Sequence, residues 1–475
     1  MRAALLAALL AAAVAPAGAA AAPPIPIPGP LDGPLPRFEG SPAKAHPLDE
    51  RLPVTNPWLA RNGRSGSGLA AGNGGFSPYP GPLGNGTDRT SSVQLGTCAS
   101  LALGSGGQLI GVCNGPLGPS LRLVDPVGMG TLAALNLAIR PNADRTDMSG
   151  GTHFIVRPDG NLLLPENDRS VHTIFVGAKS LQDLGRINLG PLLKAGEQPF
   201  AVGAGFDGMD WAVGNQGTVV TMSRTGGPAH ALKLGERTAE DIATDPTGTY
   251  VVTRSALYRL RAGRSGAPKV VWRKALGSAP PDPHAGRIHP GPGTPPVIVD
   301  RRYVAVADAL NPPTIRVFDL RSGRLHCSRP VFTKHGGSIE AQLVSAGRSV
   351  LATNAYGYDG LPTTELGGTT AGGIERIDIG PKSCRQAWAS DQISPSAQPV
   401  LSRATGLLYT LVKPAGFPDA WNLAAIDWRS GRLRFDSLSG EGLGFNSEGG
   451  AVVLGPDGSA YAGSFAGVTR FADQP

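Results

Sequence analysis

Cysteine, charged residues and aromatic residues are all scarce in this sequence of 475 residues. Its four cysteines include no adjacent pair and no Cys-x-x-Cys motif, which disfavours a redox site or a zinc-thiolate site. Charged residues make up 17% of the chain, and the net charge of +7 is not concentrated in any block of Lys and Arg. We therefore expect no nucleic-acid partner, since such proteins carry clustered basic residues.

Familiar catalytic signatures are missing as well. The sequence contains no Gly-x-Ser-x-Gly, no His-Glu-x-x-His and no Gly-x-x-x-x-Gly-Lys-Ser/Thr motif. Residues 203–208 match Gly-x-Gly-x-x-Gly, but a strand-like segment rather than a phosphate-binding helix follows them. The sequence thus gives no direct indication of serine hydrolase, zinc protease or nucleotide-dependent chemistry.

Only the N-terminus carries a long apolar run. Arg2 is followed by alanine and leucine residues through Val14, and then by small residues that suit cleavage near residues 20–22. A charged start, an apolar run of about twelve residues and a small-residue cleavage region are typical of a secretory signal peptide. The run is too short for a transmembrane helix, and no later run is long enough. We expect residues 1–22 to be removed and the mature protein to be secreted or periplasmic.

Export would place the four cysteines in an oxidising compartment, where disulfides form. Cys98 and Cys113 are equidistant from a turn centred on residues 105–106, which predicts that they lie opposite each other on paired strands and form a disulfide. Cys327 and Cys384 are then predicted to pair by elimination, from outer strands of two different repeats.

Glycine and proline are abundant, with 67 and 44 residues. Between residues 294 and 327 they help to separate short runs of β-branched and aromatic residues, as in strands joined by tight turns. The heptapeptide DLRSGRL at residues 319–325 returns as DWRSGRL at residues 427–433. From Ser92 onwards similar units recur roughly every 40 to 50 residues, and the eighth of them is one strand short.

The predicted fold is all-β, a single β-propeller of about eight four-stranded blades over residues 93–475, with seven blades as the alternative. An N-terminal strand that completed the short eighth unit would close the ring. Residues 23–92 form a Pro/Gly-rich leader. We expect this leader to be extended, to cross the domain surface and to add an edge strand near residues 54–59.

The repeat resembles that of the quinoprotein propellers. AIDWRSGRLRF at residues 425–435 is similar to their Ala-x-Asp-x-x-Thr-Gly-x-x-x-Trp repeat, and VFDLRSGRLHC at residues 317–327 shares its Asp and Gly. Trp272 and Trp388 are expected to hold the outer-strand aromatic position in neighbouring blades. The resemblance covers residues 240–440 and implies the propeller fold.

The same resemblance implies no activity. Cofactor-using quinoprotein dehydrogenases carry a vicinal disulfide over the cofactor, with a calcium site and a catalytic Asp nearby. This chain has no adjacent cysteines and no motif that maps onto that site. Quinone-dependent oxidation is therefore the third of three functional hypotheses.

In a propeller, the loops that enter the innermost strands and those that join the two middle strands lie on one face, around the channel mouth. Polar residues in these loops are candidate ligand contacts, although loops are polar in any protein. The candidates are His153, Glu166, Asp168, Glu240, Glu340, Asn354, Tyr356 and Glu448. Among them Glu340, Asn354 and Glu448 are candidate ligands of Ca²⁺, which prefers oxygen ligands, and His153 is a candidate general base.

The leading hypothesis is a monomeric binding or scaffold protein that presents this mouth to a small molecule, a glycan or a protein. It accounts for the missing catalytic motifs. The alternative is a hydrolase or lactonase that uses Ca²⁺ held by Glu340, Asn354 and Glu448, a hypothesis that rests on analogy between folds. Stoichiometric Ca²⁺ binding with a matching rise in melting temperature would favour the alternative.

Overall fold

The computed structural model describes residues 37–51, 54–61, 68, 71–92, 96–115, 118–139, 151–238, 240–277, 286 and 293–474. The predicted signal peptide and the first part of the leader lie outside these residues. Three strands precede the first complete sheet: β1 (Phe38–Gly40), β2 (Phe76–Ser77) and β3 (Asp88–Ser92). The remaining strands form eight sheets in chain order, which we number as blades 1 to 8.

Each of the first four blades is a sheet of four antiparallel strands, with the first strand innermost. Blade 1 contains β4 (Thr97–Leu103), β5 (Leu109–Gly115), β6 (Gly118–Val124) and β7 (Thr131–Asn136). Blade 2 contains β8 (Ile155–Val156), β9 (Leu162–Glu166), β10 (Ser170–Val176) and β11 (Leu181–Asn188). Blade 3 contains β12 (Pro199–Ala204), β13 (Met209–Gly214), β14 (Thr218–Ser223) and β15 (His230–Lys233). Blade 4 contains β16 (Ala243–Asp245), β17 (Gly248–Thr253), β18 (Ala256–Ala262) and β19 (Pro268–Ala275).

The last four blades repeat this arrangement, and two short 3₁₀ helices, Leu361–Thr364 and Leu443–Phe445, lie in their loops. Blade 5 contains β20 (Val297–Val299), β21 (Tyr303–Ala307), β22 (Thr314–Asp319) and β23 (Leu325–Pro330). Blade 6 contains β24 (Val344–Ala346), β25 (Ser349–Thr353), β26 (Ile374–Ile379) and β27 (Cys384–Ser390). Blade 7 contains β28 (Val400–Ser402), β29 (Leu407–Val412), β30 (Ala420–Asp427) and β31 (Leu433–Glu441). Blade 8 contains β32 (Val452–Leu454), β33 (Ala460–Ser464) and β34 (Gly467–Ala472).

An N-terminal strand completes blade 8. β3 pairs antiparallel with β34, from Asp88 opposite Ala472 to Ser92 opposite Val468, and thus becomes the fourth and outermost strand. The prediction of an eight-bladed all-β propeller is confirmed, and the eighth unit is short for the reason expected. The propeller's own strands begin at Asp88.

The core lies between the blades rather than within them. Strand β21 is buried along its whole length, because both faces of its sheet are covered by neighbouring blades. Val297 and Val317 of blade 5, for example, share a buried cluster with Val350 and Ile377 of blade 6. Such strands have apolar residues on both faces, which explains their nearly continuous β-branched runs.

The repeated DxRSG turn is a docking point between blades. In blade 7 the carboxylate of Asp427 accepts hydrogen bonds from the N–H groups of Arg429 and Ser430, at 3.1 and 2.8 Å. The indole Nε1 of Trp388, on the outer strand of blade 6, donates to the carbonyl of Trp428 in this turn at 2.9 Å. A Cβ atom at Gly431 would lie 2.5 Å from the Trp388 ring, so the turn requires glycine there.

The turn at residues 319–323 of blade 5 is likewise a docking point, in this case for blade 4. There Trp272 of blade 4 donates to the carbonyl of Leu320 at 3.2 Å, and a Cβ atom at Gly323 would lie 2.8 Å from its ring. Trp272 and Trp388 therefore hold equivalent outer-strand positions, but in blades 4 and 6. The expectation that these blades are neighbours was wrong, since each tryptophan docks on the turn of the blade that follows its own.

Both predicted disulfides are present. Cys98 and Cys113 face each other on β4 and β5, with Cα atoms 4.1 Å apart, and join the two inner strands of blade 1. Cys327 and Cys384 join the outer strands of blades 5 and 6, with Cα atoms 5.6 Å apart. None of the four cysteines is free. Within the part of the chain that the structure describes, no helix has the length and apolar character needed to cross a membrane.

The leader follows a course that differs from the predicted one. Residues 54–59 form turns and irregular backbone rather than the expected edge strand. The leader's strand pairs lie elsewhere: β1 extends blade 7 beyond β31, and β2 lies parallel to β28 on the inner edge of the same blade. Between them the leader crosses the face opposite the channel mouth, where Asn56 Nδ2 donates to the carbonyl of Ala204 at 2.7 Å and the Ala60 N–H to that of Val156 at 2.8 Å.

Residues 71–77, which we call the channel segment, then run along the innermost strands on the inside of the ring, and every one of them is buried. Four of their carbonyl groups accept hydrogen bonds from the innermost strands of four successive blades. Ala71, Gly72, Gly74 and Gly75 accept from the N–H groups of Thr244, Ile298, Ser345 and Leu401, at 2.6, 2.9, 2.8 and 2.7 Å. The leader therefore lies inside the propeller as well as on its surface.

The channel segment lies along the innermost strands because each of these strands has a free edge. The N–H groups along such an edge have no partner within their own sheet, and burying them unpaired is costly. The channel segment pairs those of blades 4 to 7, whereas elsewhere neighbouring chain segments pair directly, as Val202 N–H does with the carbonyl of His153 at 3.2 Å. Glycine permits the close approach, because a Cβ atom at Gly75, where φ is +55°, would come within 3.1 Å of Pro399 O and 3.2 Å of Val344 Cγ2.

Candidate functional site

The mouth face consists of the loops that enter the innermost strands and those that join the second and third strands of each blade. His153, Glu240, Glu340 and Glu448 precede the innermost strands of blades 2, 4, 6 and 8. The other four candidates lie at the junction of the second and third strands: Glu166 and Asp168 in blade 2, and Asn354 and Tyr356 in blade 6. All eight therefore belong to loops of this face, but they fall into separate groups around it.

His153 lies in a narrow cleft beside the channel segment. Its Nδ1 atom is 3.7 Å from Asp241 Oδ2, and its ring contacts that of Phe200 with centroids 4.5 Å apart. Gly68 and Ala71 of the leader form part of the cleft wall. The free volume is about 10 Å³, which is enough for about one water molecule, so His153 is not at the base of a substrate pocket.

Asn354 is a structural amide. Its Oδ1 atom accepts the N–H groups of Ser338 and Tyr356, both at 3.0 Å, and its Nδ2 donates to the carbonyls of Gly336 and Gly372, at 3.1 and 2.8 Å. An amide oxygen has two lone pairs, and both are used here. Asn354 could bind a cation only by releasing a backbone donor, so the geometry does not favour the proposed calcium set of Glu340, Asn354 and Glu448.

Glu448 belongs to a buried hydrogen-bond network that joins blades 6 and 8. Tyr358, which is fully buried, donates its hydroxyl proton towards Glu448 Oε2 and lies 3.0 Å from Asn446 Oδ1. Asn446 in turn donates from Nδ2 to Thr364 Oγ1 at 2.7 Å. Burial, together with the nearby Glu448 charge, raises the pKa of Tyr358 well above its usual value, so this phenol stays protonated. The network fixes the long loop of blade 6.

Three other candidates lie on the rim of the mouth. Glu240 and Glu340 are both half-buried. The ring of Tyr356 packs over the loop that enters blade 6, since a Cβ atom at Gly336 would come within 2.6 Å of it. All three lie in loops of the rim, and Glu240 directly precedes Asp241, whose carboxylate is 3.7 Å from His153 Nδ1.

The side chains of Glu166 and Asp168 meet around a histidine that the sequence analysis missed. In blade 2, His172 Nε2 lies 3.0 Å from Asp168 Oδ2 and 3.8 Å from Glu166 Oε2. Its Nδ1 lies 2.8 Å from Asp183 Oδ2. Among the described residues, Glu166, Asp168 and His172 form the one group of three acidic or histidine side chains close enough to share a metal ion.

Burial sets the electrostatics of this cluster. It raises the pKa of Glu166, an effect that His172 and a backbone hydrogen bond from Ala138 only partly offset. Burial opposes the charged form of His172, but the hydrogen bond to Asp183 and the charges of Glu166 and Asp168 outweigh it and raise the pKa of His172. The sequence could have indicated His172 through strand pairing. A hairpin that turns at residues 167–169 brings His172 back beside β9.

A second feature that the sequence analysis missed is a pair of exposed apolar side chains on the mouth face. Leu366, in the long loop of blade 6, is 75% exposed, and Phe417, in the corresponding loop of blade 7, is 50% exposed. The two loops are joined, since the Gly416 N–H donates to the carbonyl of Gly367 at 3.0 Å. We call the pair Leu366 and Phe417 the apolar rim.

A buried ion pair holds the apolar rim in place. The carboxylate of Asp419 accepts the N–H groups of Leu366 and Gly367, at 2.9 and 2.7 Å, and lies 3.4 Å from Lys413 Nζ. Lys413 is fully buried and donates from Nζ to the carbonyl of Gly368 at 3.1 Å. Leu366 has φ of +53°, a conformation that is unfavourable for leucine and is maintained here by these bonds. The backbone of the rim is therefore held by hydrogen bonds although its two side chains are exposed.

Known proteins resemble this chain mainly in fold. No protein-family model matches the chain. An uncharacterized protein of Archaeoglobus fulgidus is 26% identical over 377 residues, which cover 70% of this chain and 72% of the relative. Quinohemoprotein alcohol dehydrogenase from Comamonas testosteroni has a TM-score of 0.59 at 11% identity, covering 87% of this chain and 81% of that one. The chain shares its β-propeller fold with this enzyme.

The expected resemblance is thus confirmed for the fold, and at 11% identity it concerns the fold alone. BamB from Moraxella catarrhalis is a further structural neighbour, with a TM-score of 0.43 and 13% identity, covering 67% of this chain and 95% of that chain. The role of this chain therefore has to be argued from its own surface.

Proposed function

We propose that this protein is an exported binding propeller that docks a partner protein on its mouth face, at the apolar rim of Leu366 and Phe417. The observation that carries the proposal is the exposure of two large apolar side chains on adjacent loops whose backbone is locked by Asp419. Apolar side chains on a backbone that is already held by hydrogen bonds need less ordering on binding, and buried aromatic anchors are common in protein interfaces.

The cleft beside His153 favours a partner protein over a small molecule bound at that point. The channel segment lies against the innermost strands of blades 4 to 7, and the cleft has a free volume of about 10 Å³. Pockets for small ligands are usually of the order of 300 Å³ or more. A partner held by the outer surface of the loops needs no such cavity.

Two features support export. The sequence begins with a pattern typical of a signal peptide, and the structure contains two disulfides, which persist in oxidising compartments. We therefore place the partner in the same secreted or periplasmic space.

The test is site-specific photo-crosslinking in the source cell. A photoreactive amino acid replaces Leu366 or Phe417 in the full chain, and Val127 serves as the control because it is 61% exposed on the opposite face. We expect one and the same exported protein to be crosslinked from both rim positions and not from Val127. Equal adducts from all three positions, or none from the rim, would contradict the proposal, and a crosslink to a second copy of this chain would replace the partner by a dimer.

A binding measurement with the purified partner then tests the energetics. The substitutions Leu366→Asp and Phe417→Asp are each expected to weaken binding by about 30-fold, the effect of losing an interface hot spot of about 2 kcal/mol. Val127→Asp should leave the affinity unchanged. Unaltered affinity in both rim variants would move the interface elsewhere.

A further inference from the structure

The His172 cluster lies apart from the apolar rim and is not explained by partner binding. It is built on three strands of blade 2: Glu166 ends β9, Asp168 lies in the turn that follows, His172 is on β10 and Asp183 on β11. The side chain of His172 is 7% exposed, that of Glu166 10% and that of Asp168 21%. The group is therefore rigidly mounted and reaches solvent on its Asp168 side.

We propose that Glu166, Asp168 and His172 form a binding site for a divalent transition-metal ion. One ligand atom from each residue lies within 4.8 Å of the other two. A metal ion would replace the present hydrogen bond of 3.0 Å between His172 Nε2 and Asp168 Oδ2, and zinc would require all three atoms at about 2.0–2.2 Å. One imidazole and two carboxylates leave the fourth position to water.

The other ring nitrogen of His172, Nδ1, has the carboxylate partner that metal-ligating histidines commonly have. A histidine that ligates a metal through one ring nitrogen commonly donates a hydrogen bond from the other to a carboxylate, which fixes the ring and its tautomer. Asp183 Oδ2 lies 2.8 Å from His172 Nδ1, and Asp183 Oδ1 is itself fixed by the N–H of Gly185 at 2.9 Å. Asp183 is thus a positioning residue for a metal on Nε2.

A buried oxygen on the same turn provides an independent observation. Asn167, between the two carboxylate residues, is 8% exposed, and its Oδ1 has no hydrogen-bond partner among the described residues. Its Nδ2 donates to the carbonyl of Ala138 at 3.1 Å, and the N–H of the same Ala138 donates to Glu166 Oε2 at 3.3 Å. A buried acceptor without a donor is costly, and water bound to a metal at the neighbouring carboxylates would supply one.

The donor set favours a transition metal over Ca²⁺. Calcium takes six to eight oxygen ligands, whereas imidazole nitrogen suits zinc and its neighbours. Arg186 now bonds to Asp168 Oδ2 at 2.5 Å, but its side chain is 59% exposed and can turn to solvent when a metal ion replaces it. The site differs in residues and in metal from the calcium set expected at Glu340, Asn354 and Glu448.

The experiment is a calorimetric titration of the full-length, chelator-treated protein with Zn²⁺. We expect one Zn²⁺ per chain in the unsubstituted protein, and loss of this binding in Glu166→Gln and in His172→Gln. Asp183→Asn should retain the stoichiometry but weaken the affinity by about 10- to 100-fold, the usual effect of removing such an orienting partner. His326→Gln is the matched control, a histidine whose Nε2 lies 2.9 Å from the carbonyl of Gly380 in another blade.

Two further measurements show whether each variant is folded and whether a nitrogen atom ligates the metal. Circular dichroism of each variant shows that it is folded, and Glu166→Gln keeps the size and shape of the side chain if His172→Gln fails to fold. Co²⁺ in place of Zn²⁺ reports a nitrogen ligand through its visible absorption, which His172→Gln should change. Zinc binding that survives Glu166→Gln at full affinity, or that is lost equally in His326→Gln, would overturn the proposal, as would no binding to the folded unsubstituted protein.

Discussion

At Gly431 the absence of a side chain is what allows two blades to meet. A Cβ atom at Gly431 would lie 2.5 Å from the ring of Trp388, and the indole of Trp388 donates a hydrogen bond to the carbonyl of Trp428. The neighbouring Asp427 shapes the turn, because its carboxylate accepts three hydrogen bonds from Arg429 and Ser430. The sequence DWRSG is therefore a packing device, and its resemblance to the quinoprotein repeat needs no cofactor to explain it.

Gly431→Ala is expected to destabilise the protein more than Gly458→Ala does. Both glycines have positive φ, at +73° and +85°, so both substitutions strain the backbone. At Gly458 nothing lies within 4 Å of the added methyl group, whereas at Gly431 the Trp388 ring is 2.5 Å away. The difference should be about 1–3 kcal/mol in the free energy of unfolding, measured by denaturant titration. Equal effects of the two substitutions would show that the ring moves aside freely.

At the scale of elements, the attachment of β1 to blade 7 places two carboxylates opposite each other. Glu39 on β1 pairs with Asp436 on β31. Burial, and then the charge of Glu39, raise the pKa of Asp436 from 3.8 to about 6. Because the folded state binds this proton more tightly than the unfolded state, Asp436 lowers stability as pH rises from about 4 to about 6.

Asp436→Asn should therefore stabilise the protein at neutral pH and have little effect near pH 4. The measurement is the denaturant midpoint of both proteins at pH 4, 5, 6 and 7, and the difference between them should grow with pH up to about pH 6. Asp391→Asn, an exposed carboxylate that follows blade 6, controls for the loss of one negative charge. A difference that stays constant with pH, or shrinks as pH rises, would show that Asp436 does not titrate in this range.

At the scale of the whole molecule, the chain closes its ring twice. β3 completes blade 8 at the outside, and the channel segment joins the innermost strands of blades 4 to 7 at the centre. The disulfide between Cys327 and Cys384 adds a covalent link between two of these blades. The leader is thus part of the folded ring, and it lines the innermost strands of four of its blades.

Removal of the residues before Pro82 is expected to expose the inner edges of blades 4 to 7 while β3 still closes blade 8. Hydrogen exchange should then speed up at the amides of Thr244, Ile298 and Ser345, whose acceptors lie in the channel segment. The amide of Val251, paired within blade 4, should stay protected and serves as the internal control. Unchanged protection at the three inner amides would mean that the channel segment contributes no hydrogen bonds in solution.

Local patterns were sufficient to predict much of the fold. Short β-branched runs between glycine and proline give strands, their regular recurrence gives blades, and the short last unit gives the closing strand. The spacing of Cys98 and Cys113 about a turn gave the first disulfide correctly, because pairing in a hairpin depends only on local register. The expected strand at residues 54–59 failed, because that segment is held by scattered bonds such as Asn56 to Ala204 and makes no strand ladder.

The candidate sites were less predictable. Knowledge of propeller topology placed Glu166 and Asp168 on the correct loop, but His172 and Asp183 join them only through pairing across three strands. Asn354 looked like a ligand because it is a polar loop residue, whereas its four hydrogen bonds make it part of the loop's framework. Sequence shows which polar residues a loop contains, and only coordinates show which of their lone pairs are already used.

The sequence by itself determined the class of fold, the approximate number of repeats, the hairpin disulfide of Cys98 and Cys113 and the repeated DxRSG turns, because each depends on local pattern or regular spacing. The tertiary structure decided the rest. It brought Leu366 beside Phe417 and His172 between carboxylates, and it drew a glycine-rich leader into the channel, because unpaired N–H groups on the innermost strands require acceptors that lie far away in sequence.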